Sequence, residues 1–405
     1  MRVAAVFGLN QIVSHGFGLF LFAALVPLMR ESIAITNWHI AAIGALTQLS
    51  YLAGALLLGV IGNKVCSTRL VLTTGSVTTV MLYSMSQLQS PLIITLVLVL
   101  LAASASISWG AIVEILGRHA KPERCSTYLS FASSGTAWGY GLNGLLILLV
   151  VPVLGWQRSW QIAAIFGLIV VLFTWRLLTK LNSQPSTHTT SVQDMIPVSK
   201  LFSTIIRERT ALFACVVSFL LGFSTMPFAN WLSTYLNEMQ LPASLGGYTW
   251  TIAGLTGMFA GVITGWIADR TNHATALMII FTGFALSLMA FIYDPTQFAV
   301  LAGFGYGLMY FPVWGILAGW IRQSFSSTAT MQICSICMVT FGLGGALGNL
   351  IAGFIRDTTG SLALVYVLVT IAVILMVLLT LIIKRVGDNR TNNQLLTETA
   401  SKQLS

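Results

Sequence analysis

Charge is what this sequence has least of. Asp, Glu, Lys and Arg make up only 8% of its 405 residues, against about 25% in soluble domains, so a water-facing surface could not be built from it. Acids are scarcer than bases, 11 against 20, which leaves few places for paired carboxylates. No Walker motif, no HExxH and no nucleophile at usable spacing from a base occurs. That argues against an enzyme and against a self-contained ATP-driven pump. Cysteine numbers five, and Cys334 and Cys337 lie one turn apart, but no second CxxC or histidine pair completes a zinc site. We expect structural thiols, no metal and no cofactor.

What is abundant is apolar: 56% of the residues are hydrophobic. A membrane-spanning helix takes about 20 such residues. Twelve runs of that kind can be placed, at roughly 6–29, 39–61, 68–88, 92–114, 125–151, 159–180, 211–233, 244–267, 274–293, 296–320, 327–354 and 361–383. With no water in hydrocarbon, each segment has to satisfy its own backbone hydrogen bonds, so the runs are predicted to be helices. They are too long and too uniformly apolar for barrel strands. The opening MRVAAVFGLNQIVSHG lacks a small-residue cleavage site and turns apolar again after His15, so it reads as the first span rather than a leader.

A formal net charge of +9 raises the question of an anionic partner, and the positions of the basic residues answer it. With the N-terminus in the cytoplasm, all of them except Arg30, Arg158 and Arg356 fall on the cytoplasmic side of a twelve-span topology. This is the positive-inside bias. It implies both termini cytoplasmic and requires no nucleic acid. Compact loops suit a bacterial inner membrane, with the lipid bilayer as the only large partner.

One long polar stretch, LNSQPSTHTTSVQDMIPVSK, divides the spans six and six. The expected organisation is a six-helix bundle at 1–182, a cytoplasmic linker at 183–208, a second bundle at 209–386 and a disordered tail at 387–405. The halves are faintly alike. GVIGNKVCSTR after span 2 aligns with GWIADRTNHAT after span 8, pairing Gly59 with Gly265, Asn63 with Asp269 and Lys64 with Arg270; GWQRSW and GSLALV occupy like positions before spans 6 and 12. Halves with an even number of crossings are parallel repeats about an axis along the membrane normal, with a site between them.

These motifs resemble those of the major facilitator superfamily of secondary transporters, whose loop signature G-x-L-A-D-R-x-G-R-R follows span 2 and recurs after span 8. Gly265, Ile267, Ala268, Asp269 and Arg270 match it, while Asn272 and His273 replace its later glycine and base. The first copy is degraded to Gly59, Gly62, Asn63, Lys64, Cys66 and Arg69. The resemblance implies an all-α membrane fold of twelve helices in two pseudo-symmetric bundles, and a gate in which Asp269 faces the start of span 5 near Arg124–Thr127. There the helix dipole and free N–H groups attract an anion. Asn63, facing Ser326–Thr328, would form a weaker, uncharged counterpart. The alternative is that Asp269 and Arg270 are merely solvated boundary residues.

Titratable groups inside hydrocarbon are costly and therefore functional candidates. His15, midway along span 1 with Gln11 one turn earlier, is either a proton-coupling site or a neutral histidine bonded to a neighbouring helix. Gln48, Tyr51, Trp109, Trp138, Asn143, Asn230, Tyr306, Tyr310 and Gln332 are candidates to line a solute cavity, an aromatic pocket with a few amides suiting a small organic molecule; ordinary packing is the alternative for each. No Lys or Arg lies deep in a span, so a phosphate would find no counter-charge, although a monocarboxylate could still bind at helix dipoles. Span 5 lacks the Gly-Pro pair of the family's drug exporters. The expected function is proton-coupled uptake of a small organic solute by a monomer. The rivals are an efflux pump for an amphiphile and a non-transporting receptor on the same fold.

Overall fold

The computed structural model describes residues 2–61, 65–119, 128–129, 131–181 and 196–403. Twelve long helices run through them: α1 Arg2–Arg30, α2 Asn37–Ile61, α3 Ser67–Met85, α4 Pro91–His119, α5 Phe131–Leu154, α6 Trp156–Leu181, α7 Arg209–Glu238, α8 Ala243–Arg270, α9 His273–Tyr293, α10 Pro295–Arg322, α11 Ser327–Thr359 and α12 Ala363–Gln403. Eleven are long and apolar enough to cross a bilayer; α3, rich in Ser and Thr, is the twelfth. Because each half crosses six times, the first residues of α1 and α7 and the last of α6 lie at one end of the molecule, the linker end.

Local chemistry sets the helix boundaries. Asn272, which stands where the loop signature has glycine, caps α9 by accepting from the Thr275 N–H at 2.7 Å, and Asp294 caps α10 through the N–H groups of Thr296 and Gln297. Side-chain caps of this kind satisfy otherwise orphaned donors. At the far end, Gly155 and Gly360 turn the chain into α6 and α12 with φ of +80° and +73°, a region that an L side chain would enter only with strain. The two glycines occupy matching places in the two halves, as the internal repeat requires.

The bundles meet along two seams, α2 against α11 and α5 against α8, and both seams end midway. On α8 a single face carries Gly247, Thr251, Gly254, Met258, Gly261 and Gly265, at helical spacing. The first four touch α5: Gly247 meets Ile147 and Leu148, Thr251 meets Gly144, Gly254 meets Ala137 and Gly141, and Met258 meets Gly141. Around the Cα of Gly261 and Gly265 nothing stands where a side chain would go. The α11 face behaves alike: Gly353 packs on Ala41, Asn349 on Gly44 and Gly345 on Gln48, after which Met338, Ser335 and Met331 are exposed. The bundles therefore close on each other at the far end and part at the linker end.

Two boundary expectations change. Residues 198–207, assigned to the linker, form a short helix (Val198–Arg207) that buries Leu201 and Ile205, because apolar residues at i and i+4 share one face of a helix. The tail expected to be disordered is helical as far as Gln403. Extending an existing helix avoids the cost of nucleation, and TNNQLLTETASK contains no proline.

Candidate functional site

Where the seams end, two polar side chains face an aromatic wall. α1 widens into a π-helical turn at Ile12–Phe17, a distortion found disproportionately at functional sites. Gly16 lies on Gly139 of α5 with no room for a Cβ on either, and Asn143 Nδ2 donates to the Gly16 carbonyl at 2.9 Å. His15, only 9% exposed, is held by this turn. Its Nδ1 is 3.0 Å from Ser14 Oγ and its Nε2 3.1 Å from the Tyr51 hydroxyl of α2.

Hydrogen counting favours one tautomer. Ser14 Oγ donates its single proton to the Asn10 carbonyl at 2.9 Å, so towards His15 it accepts. The neutral ring then carries its proton on Nδ1, and Nε2 accepts from Tyr51. Gln11, next along α1, is 2% exposed and leaves its amide nitrogen without a partner in the structure. An unpaired buried donor costs about 1–3 kcal/mol, so this group is a ready ligand for an acceptor.

The opposite wall is aromatic. Tyr140 of α5 and Tyr306 of α10 join the bundles by a hydroxyl–hydroxyl bond of 2.8 Å, and both rings are fully buried. Around them pack Phe20, Phe228, Trp250 and Phe311. On the linker side Tyr310 stacks on Tyr306 with centroids 5.0 Å apart and 18° between planes. Tyr310 is half-buried, as are Trp314 and Phe341 beside it. The buried layer closes the far side, and Tyr310, Tyr51 and Gln48 border the space below. Gln48 reaches across to Met226 Sδ at 3.2 Å.

The expected site residues sort by these contacts. His15 pairs with Tyr51, Tyr51 is an electrostatic neighbour of Tyr310, and Tyr310 stacks on Tyr306, while Gln11 and Gln48 lie one turn from His15 and Tyr51 on their own helices and Asn143 supports the π turn. Asn230 instead bonds Asn349 at 3.0 Å within the α2–α11 seam. Trp138 is 52% exposed and lies on the face of α5 turned away from Tyr140, so it is an outer-surface residue and not a cavity residue. Trp109 packs inside the first bundle against the cluster containing Ile112 and Leu70. Gln332 is also no cavity residue: its amide pairs with both the N–H and the carbonyl of Ile196, at 2.9 and 3.0 Å, fastening the linker to α11. Sequence reasoning missed Tyr140, whose signal was a tyrosine opposite the lipid face of its own helix, and Met226, which carries none.

The gating residues are only partly visible. Asn63, Lys64 and residues 124–127 lie outside the described residues, as does the side chain of Asp269. Arg270 lies over the ring of Trp266, 4.2 Å from its centroid, on its own helix; Arg69 is exposed. With Gly265 in open space and Gly59 at the end of α2, the linker-end faces stand apart.

Two six-helix bundles around a buried central site define a multi-pass membrane protein of the two-bundle carrier type. The chain belongs to the Major Facilitator Superfamily of transporters, whose family model matches residues 11–319. It is similar to the human voltage-gated purine nucleotide uniporter SLC17A9, 23% identical over 293 residues, which are 67% of this chain and 65% of that protein, just under two thirds of its length. Its fold is similar to that of the nucleoside transporter NupG (TM-score 0.72, 15% identity, 94% of this chain and 97% of that one) and to that of a point mutant of NupG (TM-score 0.74, 14% identity, 94% and 99%).

Proposed function

We propose that the protein is a proton-coupled importer of a small, uncharged, ring-bearing organic solute, working by alternating access as a monomer in an inner membrane with both termini cytoplasmic. The observation that carries this reading is the pairing of one titratable side chain, His15, with Tyr51 of α2, which is itself an electrostatic neighbour of Tyr310, the linker-side ring of the stacked Tyr306–Tyr310 pair. His15 is the one group in the middle of the described spans that could take up a proton's charge, because every described Lys, Arg, Asp and Glu lies towards an end of its membrane span or outside the spans. The parted linker-end faces correspond to the cytoplasm-open state. In the outward-open state those faces would close, with Asp269 as the principal latch on the start of α5 and Asn63 as its uncharged counterpart.

The two kinds of relative carry, by their names, a nucleoside and a purine nucleotide; the shared element is a planar base. A base suits a wall of stacked rings, since aromatic pairs contribute about 0.5–1.5 kcal/mol beyond area burial. A phosphate suits this site poorly, because a buried anion needs a paired cation. We therefore assign the uncharged, base-bearing solute. The test is uptake of labelled nucleosides and their monophosphates into proteoliposomes under an inward proton gradient. Nucleoside accumulation supports the reading, and preferential accumulation of the monophosphates would overturn it. Net movement outward under the same conditions would make the protein an exporter.

A further inference from the structure

The His15–Tyr51 pair has a property that neither residue has alone. Among the described residues the Tyr51 hydroxyl has one hydrogen-bond partner, His15 Nε2. While the imidazole is neutral, with its proton on Nδ1 facing Ser14 Oγ, Tyr51 has to spend its only proton on Nε2. A proton added to Nε2 reverses that bond: Nε2–H now donates to Tyr51 Oη, and the phenolic proton turns to its other position in the ring plane, away from His15. No covalent bond other than the new N–H forms, and none breaks. We propose that Tyr51 is the hydrogen-bond donor to the solute, and that it becomes available for this only when His15 carries a proton.

Placement supports the role. Ala41, Gly44, Gln48 and Tyr51 share one face of α2 by spacing; the first three are in the α11 seam, and Tyr51 is one turn beyond it, where the cleft begins. The inference rests on the proton-coupled reading above, and adds that the solute presents an acceptor, a carbonyl or ring nitrogen, to Tyr51. The titratable groups on the helices around His15 are Tyr51 on α2, Tyr140 on α5 and Tyr306 and Tyr310 on α10, with His39 on α2 and Tyr83 on α3 at the far end. The described charged residues of these and the neighbouring helices lie near helix ends: Arg2 on α1, Arg69 on α3, Glu114 on α4, Arg176 and Lys180 on α6 and Arg322 on α10 towards the linker end, and Arg30 on α1 and Arg158 on α6 at the far end. At 1.5 Å per residue, Glu114 is about 8 Å from its helix end and His15 about 20 Å from its own, so His15 is the group whose protonation the relay reads.

Two measurements test it. The first is nitrogen NMR of labelled histidine in proteoliposomes, with His15 assigned by comparison with His15→Gln. A bare Nε2 and protonated Nδ1 at pH 8 are expected; the opposite tautomer would overturn the relay whatever the solute. The second is equilibrium binding of tritiated uridine at pH 5.5 and 8. Wild type should bind at least about tenfold more tightly at the lower pH, the equivalent of one modest hydrogen bond. Tyr51→Phe, confirmed as folded by gel filtration, should lose that dependence as fully as His15→Gln does. Tyr51→Phe that keeps the wild-type pH dependence would refute the donor role. Absence of uridine binding at either pH would count against the base-bearing solute, and the tautomer would still decide the relay.

Discussion

Gly254 and Gly261 share a face of α8 and differ only in which side of the seam's end they occupy, so the same substitution should drive the protein in opposite directions. A Cβ at Gly254 strikes the Gly141 nitrogen and the Ala137 carbonyl, main-chain atoms that cannot swing aside. Overpacking of that kind costs about 1–3 kcal/mol. Because Gly254 is at a contact between bundles, the strain is relieved by parting them at the far end, and a bias of that size shifts the conformational ratio by roughly 5- to 150-fold. A Cβ at Gly261 meets nothing here; it would be resisted only where the linker-end faces close. Gly254→Ala should therefore populate the state open at the far end, and Gly261→Ala should deplete it. The assay is maleimide labelling of Asn237→Cys, which lines a small far-end cavity between the bundles with Ala24 and Ser233, in a background freed of native cysteines. Gly254→Ala should speed the labelling and Gly261→Ala should slow it. Equal rates in both variants, or the reverse order, would refute the account of the two half-seams.

Gly139→Ala brings main chain against main chain inside one bundle, at Gly16, where no rigid-body motion relieves it; it should lower thermal stability in detergent by about 1–3 kcal/mol without a specific change in accessibility. Tyr306→Phe removes the bond to Tyr140, worth about 1 kcal/mol, and should raise far-end labelling about fivefold. Asp269→Asn should weaken the closed linker end, raising the reactivity of a cysteine placed at Gly265 and lowering uptake. Gln332→Ala removes both bonds to Ile196 and should speed protease cleavage near the linker while leaving uridine binding unchanged.

The architecture was legible because hydrocarbon leaves so few options: a run of about twenty apolar residues is a helix, and the basic residues divide by side. The predicted first span, 6–29, for example, lies within α1, Arg2–Arg30. Lateral position was harder to read. His15, Gln11, Gln48, Tyr51 and Tyr310 were picked out as costly or polar groups in apolar helices; His15 and Tyr51 pair, and Tyr310 is an electrostatic neighbour of Tyr51. Trp138 was picked out on the same grounds and faces outward, since an aromatic ring is as stable against lipid as against a cavity. Gln332 was read as a cavity amide because nothing in its own helix reveals that the chain around Ile196 would come to lie beside it. The π turn that sets His15 against Tyr51 had no sequence signal, and Tyr140 was passed over although its hydroxyl joins the two bundles.

The central claim, that His15 couples solute movement to protons, is tested most directly by uptake of labelled uridine into proteoliposomes with and without an inward proton gradient, in wild type and His15→Gln. The account predicts gradient-driven accumulation in wild type and, at most, equilibration in the variant. Undiminished accumulation by His15→Gln would contradict it and leave His15 a buried histidine that only ties α1 to α2.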